Sequence, residues 1–594
     1  VKIWTHQHSV FNNVRDVVGK TIIGLPSNKH EFLINNYLLK NNISYNSTNI
    51  EHMVEPNQIR MILPTLPIPF SLHENSLSNI HNSIMSRNFR QLNPDIDFKG
   101  SIKNFQKFCK SFLIGVEKAN EDNYLDTEAY LKTRKSWPLN KKNKFRTCAL
   151  EYTPYCYKTS LFVKNEMIFK SPLKAPRLIN NPMQVFKSKY CSAVFCATNK
   201  IKKQFMFDSF YNRKSENINF IWTSGLNRDQ IGKQCTKIVE HLASLGYPEC
   251  YIISTDYSKF EATQIPEIIK NLSNIYKNIC NGEICKLLRE LNKFISGKKK
   301  AYVDIDDFFS MYVFFGTRSS GDATTTLGNT LLGFALAAWL LRAMSVKDRK
   351  LCYLLQGGDD GTLILPKCLV KYTDKMQENL FKIGMKITII KTNKFELCDY
   401  NSSILLWCEE DGIQRLHLSA KLGRLLGRVG YTHQSYTQNL MNALRFQKAL
   451  CLVNEAKLFP GIQEFYMKLV AKYSEYSTIK IQKKYKELIT VGDIKPTERT
   501  IKQLTVRYDI SVDEYNLLND VFSGFDPDKL YITHNTDYYR IENIIKRIIQ
   551  IDCVHYSKAD LDSFYTEDVF TSEFMHEYEK HIHEENQYVI NLIQ

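Results

Sequence analysis

Two adjacent carboxylates, Asp359 and Asp360, lie in the run Gly357-Gly358-Asp359-Asp360-Gly361, between strand-like segments at 353–356 and 362–365. Glycines ahead of paired acids between apolar runs read as a tight hairpin turn. Side chains alternate across a strand, so neighbouring aspartates can be aimed differently. By itself the pattern says little, since most Asp-Gly pairs are only turns. A third carboxylate changes the reading. The apolar, strand-like run 251–255 ends at Asp256 and continues as DYSKFEATQ, with Glu261 five positions on. If this strand pairs with the hairpin, Asp256 and Asp359 converge. Hard carboxylates at one point suit Mg²⁺, with Mn²⁺ the alternative, because such ions keep waters and take further ligands from phosphates. Two ions about 3.5–4 Å apart would stabilise the attacking and leaving oxygens of an in-line displacement. The bland alternative for Asp256 is a helix N-cap.

Other elements have to position these acids. Between them stands GTRSSGDATTTLGNT, residues 316–330, a Ser-Gly loop opening a long helix predicted over 324–344. Thr325 and Asn329 are four apart on that helix and share a face, where a hydroxyl and an amide can hydrogen-bond a ribose hydroxyl. Apolar residues from Ile268 to Ile279 recur at helical spacing after Pro266, and 301–315 reads as two strands around an acidic turn. The basic run 132–146, which includes Lys135, interleaves charge with Trp137 and Phe145; these rings can stack on bases. Lys421, Arg424 and Arg428 follow at helical spacing, either tracking an RNA backbone or forming a solvated amphipathic face. Beyond about 410 the pattern is largely helical.

Taken in order, the D-x4-acid segment, the SG-x3-T-x3-N segment and the GDD turn resemble the polymerase motifs of positive-strand RNA viruses. GTRSSGDATTTLGNT is most similar to the tombusvirus-like group, with nodavirus-like enzymes also close. The resemblance extends upstream to Phe162-Val163-Lys164-Asn165-Glu166 and Lys174-Ala175-Pro176-Arg177-Leu178-Ile179. It implies an α+β, right-hand polymerase fold with an antiparallel palm sheet and a mainly helical thumb. The implied plan is an N-terminal extension over 1–99, fingers over 100–250, palm over 251–264, a fingers insertion over 265–317, palm again over 318–410, then thumb and C-terminal extension over 411–594. Asp256 and Asp359 would hold metal, with Asp360 supporting. Lys164, Lys174 and Arg177 would neutralise the triphosphate, and arginine suits bidentate phosphate binding. Ser320, Thr325 and Asn329 would read the ribose, together with Glu261. The family usually has aspartate where Glu261 stands, and one extra methylene alters its reach. A lysine protonating the leaving pyrophosphate is implied after the hairpin: Lys391 is the candidate, Lys386 the rival, and a plain surface lysine the bland alternative.

Composition agrees with a polyanionic partner. The 594 residues carry a net charge of +17, with 43% hydrophobic and 24% charged residues, which is globular and not disordered. The fifteen cysteines form no CxxC pair, so free thiols in a reducing compartment are expected. The apolar stretch 331–341 is too short to span a bilayer and reads as a buried helix. The expected partners are RNA template and product, nucleoside triphosphates, and separate viral replication or membrane-anchoring proteins. The expected location is the host cytoplasm, at a membrane-associated replication complex. Two rival readings are a reverse transcriptase, which lacks the SG-x3-T-x3-N pattern, and a catalytically silent RNA-binding scaffold.

Overall fold

The structure is a computed structural model describing residues 96–150, 157–164, 167–169, 177–209, 217–258, 260–305, 308–427, 431–432, 437–479, 494–527 and 538–552, with short pieces before residue 96. In chain order its main elements begin with β1 (Tyr157–Val163), β2 (Leu178–Pro182), α1 (Gln184–Lys202), β3 (Asn219–Trp222), α2 (Arg228–Ser244) and β4 (Cys250–Tyr257). Next come α3 (Leu272–Ile279), α4 (Gly282–Ser296), β5 (Lys298–Ile305), β6 (Phe308–Phe315), α5 (Thr325–Leu340), β7 (Tyr353–Gly357), β8 (Asp360–Pro366) and β9 (Ile387–Thr392). The hairpin β10 (Ser403–Glu410) and β11 (Ile413–Ala420) leads into α6 (Gln438–Glu455), α7 (Pro460–Lys472), α8 (Glu498–Tyr508), α9 (Val512–Ser523) and α10 (Tyr538–Asp552).

The five-stranded sheet that carries the acids has the order β9-β4-β8-β7-β3. Its pairs are antiparallel except β7 with β3, which is parallel. Apolar residues cover both faces along most of its length. Phe334 of α5 packs on Phe220 of β3 at 4.6 Å between ring centroids, and Ile252, Ile253, Leu355, Leu363 and Ile364 are buried. Helix α5 is apolar all round because it is buried nearly all round, as a central helix must be. The segment Thr325–Ala343 is long and apolar enough to cross a membrane, yet 78% of it lies inside the fold.

Glycine lets that helix come close. A Cβ on Gly333 would fall 2.5 Å from the Gln356 side chain, and one on Gly361 equally close to it. The β7–β8 loop has only two residues, since Gly357 pairs with Asp360. Gly358 takes a φ of +74° at the first central position, as a type II′ hairpin requires. Asp359 is therefore the loop tip, and Asp360 already belongs to a strand.

A second sheet runs Lys20–Gly24, β6, β5, β1, β2, with the short strand Ile3–Thr5 beyond its first member. The third pairs β10 with β11, and each face of that hairpin meets a different core. Leu405, Leu416 and Leu418 join the core of the five-stranded sheet, while Ile404, Leu406 and Cys408 join the core of the C-terminal helices.

This sheet membership moves three of the expected boundaries. Strand β3 enters the five-stranded sheet before residue 251. The hairpin β10–β11 crosses 410/411 unbroken. The strand Lys20–Gly24 pairs with β6, so part of 1–99 is built into the fold. The helices after Pro266, the strands β5 and β6, and the hairpin β7–β8 fall where the sequence placed them. The described cysteines are free thiols.

Candidate active site

Register decides which way the acids point. Thr255 pairs with Gly361, and Gln356 with Gly361 on the other side. Paired residues share a face, and Gln356 packs against α5, so this row is helix-backed. Asp256 and Asp360, one residue out of step, share the opposite face, which is open at this end of the sheet. Asp359 hangs over them at the loop tip, and all three residues are solvent-accessible. The loop is braced from behind. The Gly358 N–H donates to Thr330 Oγ1 at 2.9 Å, Gln356 Nε2 donates to Gly358 O at 3.0 Å, and Thr255 Oγ1 donates to Gly361 O at 2.9 Å.

The charge of Asp359 reaches the other acids. Desolvation, then Asp359 and Asp399, raise the Asp256 carboxyl above its ordinary range. Desolvation, then Asp359 and Asp256, push Asp360 up to about 6, against the charge of Arg424. Glu261 is raised by burial first and Asp359 second, with Arg177 and Arg318 opposing. Carboxyls raised by burial and by the shared neighbour Asp359 form a site suited to cations. Among the described residues no three Asp, Glu, His or Cys side chains close a complete metal cage. That donor set fits Mg²⁺, which completes its shell with water and substrate phosphates.

A pH prediction follows. A carboxyl with a raised pKa keeps its proton to higher pH, and the proton competes with metal. Divalent-ion affinity should be nearly full at about pH 7.5 and fall as pH drops through about 6. Mn²⁺ titration by electron paramagnetic resonance at several pH values checks this, and a flat profile between pH 5.5 and 7.5 would contradict it.

The 317–322 loop is zipped to the segment after β4. Thr317 N donates to Gln264 O and Arg318 N to Glu261 O, both at 2.9 Å. Asp322 anchors it, accepting from Tyr157 Oη at 2.7 Å and Ser319 N at 2.9 Å. Buried Lys299 holds Thr317 O and, at 3.3 Å, Ser319 Oγ; burial lowers its pKa to about 8.

The three expected ribose readers have protein partners here. Ser320 Oγ donates to Leu178 O at 3.2 Å. Thr325 Oγ1 donates to Asp322 O at 2.8 Å, closing the loop onto the helix. Asn329 Oδ1 accepts from Gln264 Nε2 at 2.8 Å. Gln264 thus bonds Asn329 directly.

Lys164 and Arg177 sit opposite each other at the end of β1–β2, where Lys164 N donates to Arg177 O at 2.7 Å. The Arg177 charge reaches Glu261, so this pair borders the site. Lys174 and Arg428 lie outside the described residues. Arg424 is half-buried, and its charge reaches Asp360.

Four expectations are corrected. Lys391 pairs with Ile253 in register, on the face away from Asp256, and its ammonium bonds Asp374 at 2.6 Å. Lys386, whose carbonyl accepts from Ser258 N at 2.9 Å, is two residues before Thr388, the partner of Asp256; it is the lysine on the correct face. Lys421 is buried and ion-paired with Asp399, so it does not track RNA. Phe145 is fully buried against Tyr130 at 5.5 Å and cannot stack on a base. Trp137 packs on the same cluster under Lys141, beside exposed Lys135. Gln264, Lys299, Arg318 and Thr330 were missed. The signal available was a buried-helix context around polar side chains, which demands partners.

Residues 197–408, from within α1 to within β10, match the family model for viral RNA-dependent RNA polymerase. No curated protein matches the chain. The matched segment holds Asp256, Glu261, the 317–322 loop and the hairpin with Asp359 and Asp360, and it defines the architecture as a right-hand polymerase. By class this is an RNA-directed RNA polymerase, a nucleotidyltransferase that takes an RNA template and nucleoside triphosphates and uses divalent metal ions.

Proposed function

We propose that the protein replicates a viral RNA genome by two-metal nucleotidyl transfer with Mg²⁺, as a polymerase similar to the tombusvirus-like and nodavirus-like enzymes. The observation that supports this reading is the register that puts Asp256 and Asp360 on one face of the sheet beneath Asp359 at the loop tip, whose charge reaches both and Glu261. Bound Mg²⁺ would supply Lewis acidity at the attacking and leaving oxygens. Asp256 and Asp359 hold the ions and Asp360 supports them. The primer 3′-oxygen forms a bond to the α-phosphorus, its proton is lost to solvent, and the bond to the bridging oxygen breaks to release pyrophosphate.

Arg177 and Lys164 bind and orient the triphosphate from the end of β1–β2. Lys386 takes the place of Lys391 as the proton donor to pyrophosphate. Arg424, whose charge reaches Asp360, would hold the product backbone near the acids. The chain works at host cytoplasmic membranes through a separate anchoring protein.

The test is extension of a primed RNA with ribo- or deoxynucleotides, with and without Mg²⁺. The expected result is Mg²⁺-dependent RNA synthesis that favours ribonucleotides. Salt-sensitive RNA binding without any extension would favour the silent scaffold, and preferential use of deoxynucleotides the reverse transcriptase.

A further inference from the structure

Arginine can only donate hydrogen bonds, and here that fixes the orientation of two amides in sequence. Arg318 Nε donates to Gln264 Oε1 at 3.0 Å. With its oxygen so engaged, Gln264 must turn its N–H₂ the other way, and Nε2 donates to Asn329 Oδ1 at 2.8 Å. Asn329 is left with only its N–H₂ to offer a ligand. Water cannot stand in for any partner, because Arg318, Gln264 and Asn329 are 2%, 0% and 1% exposed. Arg318 itself is held by Thr324 Oγ1, the acceptor for Nη1 at 2.8 Å, and by Gly328, whose Cβ would fall 2.7 Å from Nη2. The Arg318 backbone N–H bonds Glu261 O at 2.9 Å, so the start of the chain of donors lies beside the acid expected at the sugar.

We propose that Arg318 and Gln264 are positioning residues for sugar selection, setting the polarity of a one-way hydrogen-bond relay from Arg318 through Gln264 and Asn329 to the ribose 2′-hydroxyl and on to Glu261. This rests on the polymerase reading above. The Asn329 N–H₂ donates to the 2′-oxygen, and the 2′-hydrogen then donates to Glu261, whose carboxylate accepts. Every link points from the cation to the anion. A deoxyribose offers no acceptor to Asn329 and no donor to Glu261, leaving both buried groups unpaired. The relay also gives the longer Glu261 a role, since the hydroxyl it receives is oriented by Asn329.

Gln264→Glu reverses the polarity. The new carboxylate still accepts from Arg318 but cannot donate, so Asn329 must flip and turn its oxygen to the sugar. The 2′-hydroxyl, with one hydrogen, cannot then satisfy both Asn329 and Glu261. Steady-state single-nucleotide extension with ATP and dATP should show the ribo-over-deoxy preference falling about tenfold, mainly through a higher KM for ATP with kcat nearly kept. Gln264→Leu should lower it similarly. An equal fall in kcat/KM for both sugars, or an unchanged preference, would overturn the relay, since a merely structural residue would act on both alike.

Should neither variant fold, Asn329→Asp decides the matter. It still accepts from Gln264 but presents an acceptor outward, so the relay requires lost preference with an unchanged melting temperature, and retained preference overturns it. Failure of the wild-type chain to extend RNA at all would instead remove the polymerase reading itself.

Discussion

Asp359→Asn is expected to lower templated nucleotide addition by at least about 10³-fold while RNA affinity stays within about threefold. Asp359 is the tip of a two-residue loop, and its charge acts on Asp256, Asp360 and Glu261 together. No other described residue is coupled to all three. Asparagine matches aspartate in size and suits the same turn, so the hairpin and its brace from Thr330 should survive. What disappears is the charge that draws metal to the point where the sheet row and the loop meet. RNA affinity rests on cations elsewhere, so it should change little. Single-nucleotide extension read beside fluorescence anisotropy on the same RNA separates the two effects. Extension within about tenfold of the parent would contradict the assignment of Asp359 as a metal ligand. The same substitution should also let Asp256 and Asp360 titrate at lower pH, because a repulsive neighbour is gone.

The largest stability effect is expected from Asp552→Ala, a loss of about 3–5 kcal/mol. Asp552 ends α10 with a fully buried side chain. It accepts from Gly423 N at 2.7 Å, from Arg507 Nη2 at 3.1 Å and from Tyr508 Oη at 3.1 Å. Arg507 also bonds Asp399 at 3.0 Å, and Lys421 pairs with the same acid. The cluster thus ties the last described helix to α8 and to Asp399, which leads into β10. Alanine would strand a buried guanidinium, a tyrosine hydroxyl and a backbone N–H at once. Asp552→Asn keeps an acceptor for Gly423 and Tyr508 but loses the charge and the acceptor for Arg507, so its cost should be smaller. Urea unfolding followed by tryptophan fluorescence measures both, and equal costs for the two substitutions would show that the retained acceptor contributes nothing and the charge accounts for the whole effect.

The elements that carry the acids were legible in the sequence because turn and strand patterns are local. A Gly-rich turn between two apolar runs has few folded forms, and Asp359 and Asp360 were found through it. The apolar run ending at Asp256 read as a strand, and its burial on both sides, with Ile252 and Ile253 on opposite faces, is what the structure adds. Helix α5 was legible for the same reason. Where a side chain's role depended on a single step of register, the sequence was silent. Lys391 and Lys386 are five apart, an odd number, so they lie on opposite faces of one extended segment. Only the pairing of Asp256 with Thr388 shows which one looks at the acids.

What the chain alone determined is therefore its set of local elements and the identity of the acids, because turn geometry and alternation act between near neighbours. Tertiary structure decided which charges are free. Lys421 and Arg424 share one helical spacing, yet one is buried on Asp399 and the other acts on Asp360, a choice made by the core that packs beneath them. It likewise joined Gln264 to Asn329 across 65 positions. Buried polar atoms must find partners, and the fold alone brings those partners within reach.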